Sequence, residues 1–579
     1  MWVGGKFSVA LLSGGQIVLM IALMLSVPIA ASAQNATVSR PVVLRGLNVA
    51  PSIEEAASAM DGVQVPGLFP VDRAALQTGL SALLGRPIGR ELLNEIRQVV
   101  TESFVNAGRP FIDVGFPQQD ITEGRLRVVV QEYRVGQVAV SGNNWFTDRQ
   151  VTEAAGLTPG ETIDKNGLDS RLAAFGASPF VKVTPDFQPG KAPGTTDVTL
   201  RVDDRLPVQV SATYHDTGAA STGWDRFDLG VRWGNVAHSG DTLGYTLSSS
   251  SDFYNGRPGS DLLYEGVPPR FMSQTVTAEL PLDGGARVSL SGGYTRQSPT
   301  LGRALGSIGT TTTFSADYTR PADFWPATWI GGTDQEVGIG VSVKRSNNNL
   351  SFGGQLVQRG FTVVAEISLH ASTNFTNSLG RLHVMNTLTA SPGGLTRENS
   401  DTAFQPLGSS QSGTPGAHAR YVYDQLVLTQ MTPLPRDYGL LLRATLQASS
   451  STLLGSEQMS IAGMDAVRGY QEFGVAGSQG VLLSAELRGP SFSPSTFIGL
   501  ADRADQAQLH VFLDAGRAWN PTGSQTAPAA QSTASFGAGG TLALADNFNM
   551  RLEQGWQILR SNRPGANGAF LHAEVSATW

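Results

Sequence analysis

The seven histidines, His215, His238, His370, His383, His418, His510 and His572, are scattered along the chain. No two stand at the His-x-x-x-His spacing that sets a pair of imidazoles on one helix face for zinc. No Gly-x-Ser-x-Gly lifts a serine nucleophile into reach, and no Gly-x-x-x-x-Gly-Lys-Ser/Thr cradles a phosphate. Cysteine is absent, which removes thiolate ligands, cysteine nucleophiles and disulfides, and in an exported protein avoids mispairing. No catalytic residue, cofactor or metal ligand is therefore expected. What remains is ion pairing. Asp514 lies in a strand-like run, Leu509 to Gly516, where Val511, Leu513 and Ala515 share one face and Phe512, Asp514 and Gly516 the other. If that strand faces lipid, the carboxylate is tolerable only on the opposite, wet side.

The elements that would hold such a residue are set by composition. With 41 Lys+Arg against 48 Asp+Glu the chain is net acidic, so the basic footprint of nucleic-acid binding is missing. Only 15% of residues are charged, yet the hydrophobic fraction is an ordinary 41%. Glycine, 67 of 579 residues, exceeds the ~7% of average proteins and favours a large, turn-rich antiparallel β structure. At the N-terminus Lys6, an apolar run from Ile17 to Val27 and Ala31-Ser32-Ala33 form a secretory signal over residues 1–33. The apolar run is shorter than the ~20 residues that cross a bilayer as a helix.

From Val42 to about Asp204 the texture is mixed α and β. Leu92, Ile96, Val99, Val100 and Phe104 fall on one helical face between Arg90 and Ala107, and Gly108 follows as a stop. A second helix is expected over Lys165–Phe175 with Asp164 as its cap. Strands are expected at 42–45, 125–131, 135–141, 180–185 and 196–202. Two small α+β modules in tandem result, residues 41–133 and 134–204.

After about Leu206 strict alternation takes over, as in Phe227-x-Leu229-x-Val231-x-Trp233, Val337-x-Ile339-x-Val341-x-Val343 and Phe361 to Leu369. Stretches 391–417 and 521–535 are expected to be loops. Alternation alone fits either a soluble sandwich or a membrane barrel. The length of the tract, 207–579, and its end decide for a barrel. Leu571, Ala573, Val575, Ala577 and the terminal Trp579 share a face, which suits an aromatic girdle and a C-terminal assembly signal. Spans of ~9–11 residues plus loops give about 16 strands.

Two modules before a barrel of this size resemble the TpsB transporters of two-partner secretion, the ShlB/FhaC-like haemolysin secretion/activation family. Gly463-Met464-Asp465-Ala466-Val467-Arg468-Gly469-Tyr470 is similar to the family's Val-Arg-Gly-Tyr loop with its upstream glycine, and Phe512-Leu513-Asp514-Ala515-Gly516 to its Phe-x-Asp-x-Gly strand. Pro117-Gln118-Gln119-Asp120 with Gly124 resembles the end of the first POTRA module, and Gly142-Asn143 the turn opening the second module's first helix. The resemblance implies that the loop folds back into the pore, that Arg468 meets Asp514, that Gly469 turns the chain and that Tyr470 packs on the inner wall. Without it, Arg468 reads as an exposed turn residue and Asp514 as a carboxylate that solvates the lumen.

The implied function is a non-enzymatic, monomeric outer-membrane transporter. It would take a secreted TpsA-type partner (a haemolysin, adhesin or toxin) through its POTRA modules, contact outer-membrane lipids, and meet the barrel-assembly machinery only during its own biogenesis. The alternative is an assembly insertase, which normally carries more than two POTRA modules. Family members often carry an N-terminal plug helix. Here only residues 34–40 precede the first expected strand, so such a plug is expected to be absent or displaced.

Overall fold

The computed structural model describes residues 41–579 apart from 56–59, 66–69, 177, 239, 255–268, 300–304, 323–331, 353–354, 359, 406–412, 473, 498–504, 522–529, 546 and 561–567. The expected export signal lies outside these.

The first module contains β1 (Gly46–Ala50), β2 (Gly62–Gln64), α1 (Arg73–Ser81), α2 (Arg90–Asn106), β3 (Ile112–Gly115) and β4 (Arg125–Glu132). Its sheet has the order β2-β1-β4-β3, with β1 parallel to β2 and β4. The α2 face read from spacing is the buried one, carrying Leu92, Ile96, Val100 and Phe104. Gly108 follows at φ 74°, a conformation that costs glycine little. The strand expected at 42–45 forms instead at 46–50, and Val43 makes only an isolated bridge to Pro87. Every residue of β1 is buried, as a central parallel strand requires, so no alternation marks it in the sequence.

The second module holds β5 (Arg134–Ser141), α3 (Asp148–Ala155), α4 (Lys165–Phe175), β6 (Val181–Pro189) and β7 (Thr195–Asp204). Sheet order is β5-β7-β6, and Val135, Phe146, Val151, Leu168, Leu172, Phe180, Val198 and Leu200 form the core beneath the helices. Asp164 caps α4 by accepting from the Gly167 N–H at 3.1 Å. The α3 helix starts on a capping box between Thr147 and Gln150.

The barrel begins at β8 (Val208–His215), β9 (Arg226–Gly234), β10 (Thr242–Ser249), β11 (Phe271–Pro281), β12 (Arg287–Gln297) and β13 (Leu305–Pro321). It continues through β14 (Thr333–Phe352), β15 (Gln355–Gln358), β16 (Phe361–Asn377), β17 (Gly380–Ser391), β18 (Tyr421–Pro433) and β19 (Gly439–Ser449). A small internal hairpin follows, β20 (Met459–Ser460) with β21 (Ala476–Gly477). Then come β22 (Gln479–Arg488), β23 (Asp505–Trp519), β24 (Ala530–Leu544), β25 (Phe548–Gln557) and β26 (Ala569–Thr578). Because β14 pairs directly with β16 and β15 only extends the rim, sixteen antiparallel strands close the ring among the described residues. Closure is between β26 and β8, from Glu574 opposite His215 to Thr578 opposite Ser211.

No described helix is long and apolar enough to cross a membrane, so any crossing is made by strands. Leu229, Val231, Trp233, Ile339, Val341, Ile367 and Leu369 stand exposed on the outer wall, as a lipid-facing surface requires. The second module touches one end of the barrel. Gln150 Nε2 donates to Asn235 Oδ1 at 2.5 Å in the β9–β10 turn, and the Phe180 ring lies against Gly234. With the modules in the periplasm, as the resemblance implies, that end is the periplasmic one and the loops at the other end are extracellular.

The stretch expected to be a loop at 521–535 is in part strand, since β24 starts at Ala530. Thr533 and Ser535 are fully buried on its lumenal face, where small side chains leave room for a loop inside the pore. The long loop at 391–417 includes a helical turn at Asp401–Phe404.

Candidate functional site

The loop between β19 and β22 folds into the barrel. Met459, Ile461, Val467, Tyr470 and Val475 of the loop are buried together with Ala518 of β23, so the loop brings its own small core with it. Two glycines allow the path. Gly463 sits at φ 128° against the Glu472 carboxylate, which accepts from the Met464 N–H at 2.6 Å. Gly469 sits at φ 92° against the backbone of Gly555 on β25.

Arg468 is at the centre. On β23 Val511 and Leu513 are 53% and 55% exposed to the lipid side while Asp514 is 0% exposed inside. The guanidinium grips Asp514 through two parallel bonds, Nε to Oδ2 at 2.8 Å and Nη2 to Oδ1 at 2.9 Å, and the Arg468 N–H adds a third at 3.2 Å. Nη1 donates to Glu486 of β22 at 2.9 Å and to Glu553 of β25 at 3.0 Å, and Nη2 to Ser484 at 3.3 Å. The guanidinium carbon stands 3.5 Å from the centroid of the Phe512 ring. Around this core Arg488 bonds Glu486 at 2.7 Å, Arg551 bonds Glu553 at 2.9 Å and Asp465 of the loop at 3.1 Å, and His510 meets Glu553 at 3.0 Å. Three buried carboxylates thus meet three guanidiniums, which offsets the desolvation that a lone buried pair would suffer.

The other residues singled out from the sequence fall as follows. The Tyr470 hydroxyl shares its one hydrogen between the Ala534 and Leu559 carbonyls and accepts from the Ala534 N–H at 3.1 Å. Gly516 leaves space on β23 for Ile461 and Val467. Pro117, Gln118, Gln119, Asp120 and Gly124 shape the β3–β4 connection: Gln119 exchanges two bonds with the Arg127 backbone, Asp120 accepts from the Thr122 N–H, and Gly124 passes Val43 at φ 74°. Gly142 takes φ 89° against the Val202 carbonyl, and Asn143 donates to Phe146 O and Asp148 Oδ1 ahead of α3. Neither of these motifs meets the lumenal cluster. Trp579 exchanges backbone bonds with Val210 at 2.8 and 2.9 Å, and its side chain is 67% exposed.

Sequence reasoning did not single out Glu486, Glu553, Arg551 or Gly555. Each charged residue sits on the inward register of an otherwise alternating strand, a signal visible only once the register is known. Among the described residues no group of carboxylates and histidines is placed to hold a metal ion.

The comparisons match stretches of both the first module and the barrel. The sequence model of the haemolysin secretion/activation proteins ShlB/FhaC/HecB covers residues 340–542, which contain the loop and two of its three anchoring strands, β22 and β23, and that of the ShlB-type POTRA domain covers 59–132. Over these two stretches the chain is similar to the ShlB/FhaC/HecB family. Among curated relatives, the heme/hemopexin transporter protein HuxB of Haemophilus influenzae is 21% identical over 72% of this chain and 71% of its own. The outer membrane transporter CdiB of Dickeya dadantii is 23% identical over 71% and 69%. In fold, CdiB from Escherichia coli matches with a TM-score of 0.71 at 16% identity, covering 95% of this chain and 93% of that one. BamA from Haemophilus ducreyi matches at 0.51 and 13% identity, covering 89% and 98%. BamA therefore shares the fold less closely than CdiB does.

Proposed function

We propose that this protein is the outer-membrane transporter of a two-partner secretion system, and that it moves one dedicated TpsA-type protein to the cell surface. The observation that carries this reading is the Arg468 loop, held inside a sixteen-stranded barrel by wall residues of three strands, in a chain similar to the ShlB/FhaC/HecB family. A loop bound by ion pairs can be released without unfolding the wall, which suits passage of an extended chain. Among the described residues the edge strands β5 and β6 of the second module have no further strand beside them, and they support capture of an unfolded partner by strand addition, a mode that makes few sequence demands. The protein acts as a monomer, with outer-membrane lipids around it and the assembly machinery needed only for its insertion. This reading calls for no chemistry: in the lumenal cluster Asp514, Glu486 and Glu553 are each paired with Arg468.

The test is secretion by a strain lacking the protein, complemented with wild type, Arg468→Ala or a deletion of residues 41–204. One large protein absent from the medium and restored by wild type alone is the expected result. A joint decline of many outer-membrane proteins would instead identify an insertase.

A further inference from the structure

The outer wall carries a polar site that neither the barrel nor transport explains. On β16, β17 and β18, Ile367, Ala390 and Val422 lie opposite one another in register, and the next row down places Leu369, Leu388 and Asp424 together. Ile367, Leu369, Leu388 and Val422 are exposed on the outside, so Asp424 shares the lipid-facing side with them. It accepts two bonds from Asn386 Nδ2, at 2.9 and 3.1 Å. A carboxylate in that position is costly against hydrocarbon, and its remaining acceptor capacity calls for donors from outside the protein.

Directly above, at the extracellular rim, lies a cavity of about 490 Å³ lined by Ile367, Ala390, Pro392, Arg420, Val422 and Ser450. Its walls are mostly apolar. Among the described residues the Arg420 side chain has no hydrogen-bond or ion-pair partner, and it is exposed. The rim is the extracellular one, because the second module meets the opposite end of the barrel.

We propose that this face binds a phosphorylated glycolipid of the outer leaflet. Arg420 takes a phosphate, the apolar cavity takes the first part of an acyl chain, and Asp424 with Asn386 accepts from amide or hydroxyl donors at the chain's root. The two-level pattern selects the occupant. A guanidinium at the headgroup level suits any anionic lipid, whereas an acceptor pair one row deeper suits only a lipid that carries N–H or O–H groups below its phosphates.

The full-length protein, purified in detergent, is titrated with diphosphoryl lipid A, with dephosphorylated lipid A and with phosphatidylglycerol, and bound lipid is counted by native mass spectrometry. Diphosphoryl lipid A is expected to bind about tenfold or more tightly than either of the others, as loss of a charge-assisted bond would cost. Arg420→Glu is expected to abolish that preference, Asp424→Leu to weaken lipid A without changing phosphatidylglycerol, and Arg517→Glu, on a different strand, to leave binding as it was. Heat-modifiable migration on gels verifies that each variant has formed its barrel. Equal binding by wild type and Arg420→Glu, or equal affinity for phosphatidylglycerol and lipid A, would overturn the assignment.

Discussion

Gly469 of the lumenal loop and Gly555 of β25 touch backbone to backbone: a Cβ added at Gly555 would lie 2.5 Å from the Gly469 nitrogen, and one added at Gly469 would lie 2.9 Å from the Gly555 carbonyl carbon. The loop can bring Arg468 to its three carboxylates only because both positions lack a side chain. Gly555→Ala is therefore expected to push the loop off the wall at about 1–3 kcal/mol, the usual magnitude of overpacking, without preventing the barrel from closing. Gly469→Ala adds the strain of φ 92° and should be the more severe of the two. Limited proteolysis across residues 455–478 checks both, with faster cleavage in Gly469→Ala than in Gly555→Ala and slowest in wild type.

Arg468 holds the loop through five side-chain bonds, and three buried carboxylates depend on it. Arg468→Ala leaves them facing one another, which breaks a buried pair at about 3–5 kcal/mol and shifts the docked loop toward release on the order of a hundredfold or more. Arg468→Lys keeps the charge yet cannot reach Asp514 with two parallel donors and Glu486 and Glu553 at once, so it should lie between. Conductance in planar bilayers should rise in the order wild type, Lys, Ala. Equal conductance in all three would separate the ion cluster from closure of the pore.

The sequence made some of this legible and hid the rest for physical reasons. Strands exposed to lipid on one side alternate cleanly, so β23 and β26 could be read with their faces assigned. The helix of Leu92, Ile96, Val100 and Phe104 could be read because one face alone is buried. By contrast β1 is buried on both faces and has no period, and the start of β24 is built of Ala, Ser and Thr because the loop packs on it. Arg468 and Asp514 were found through resemblance to a family, not through spacing. Glu486 and Glu553 are distant in sequence and meet only because the barrel curves β22 and β25 toward the same guanidinium.

Asp204, at the end of β7 in the second module, closes the turn that begins at Gly142. Partial burial alone would raise its pKa, but N–H donors from Trp145, Phe146 and Asn144 at 2.7–2.9 Å overcome that and hold the carboxyl below its ordinary value. A group depressed in the folded state stabilises it above the unfolded pKa and ceases to do so as pH falls through the folded one. The protection of amides 144–146 against exchange, relative to their intrinsic rates at the same pH, should therefore fall as the pH drops below about 4. In Asp204→Asn the same amides should exchange faster at neutral pH and lose most of that acid dependence.

The extracellular loop of residues 392–420 and the start of the lumenal loop share one small core: Phe404, Ala417, Ala419 and Tyr421 pack with Leu453, Leu454 and Val364 of the wall. Gly455 N–H donates to Thr414 Oγ1 at 2.8 Å, and Lys344 of the wall bonds Glu457 at 2.6 Å, so the two loops are tied to each other and to the barrel above the Arg468 cluster. Phe404 is fully buried, and its truncation to Ala should cost about 3–5 kcal/mol of this local packing. The barrel strands do not depend on Phe404, so the loss should appear as opening of the loop pair and not as unfolding. Phe404→Ala is expected to expose 392–420 to externally added protease and to raise conductance while heat-modifiable migration stays as in wild type. Combined with Arg468→Ala the conductance increase should exceed that of either change alone, because one tie acts at the mouth and the other in the lumen.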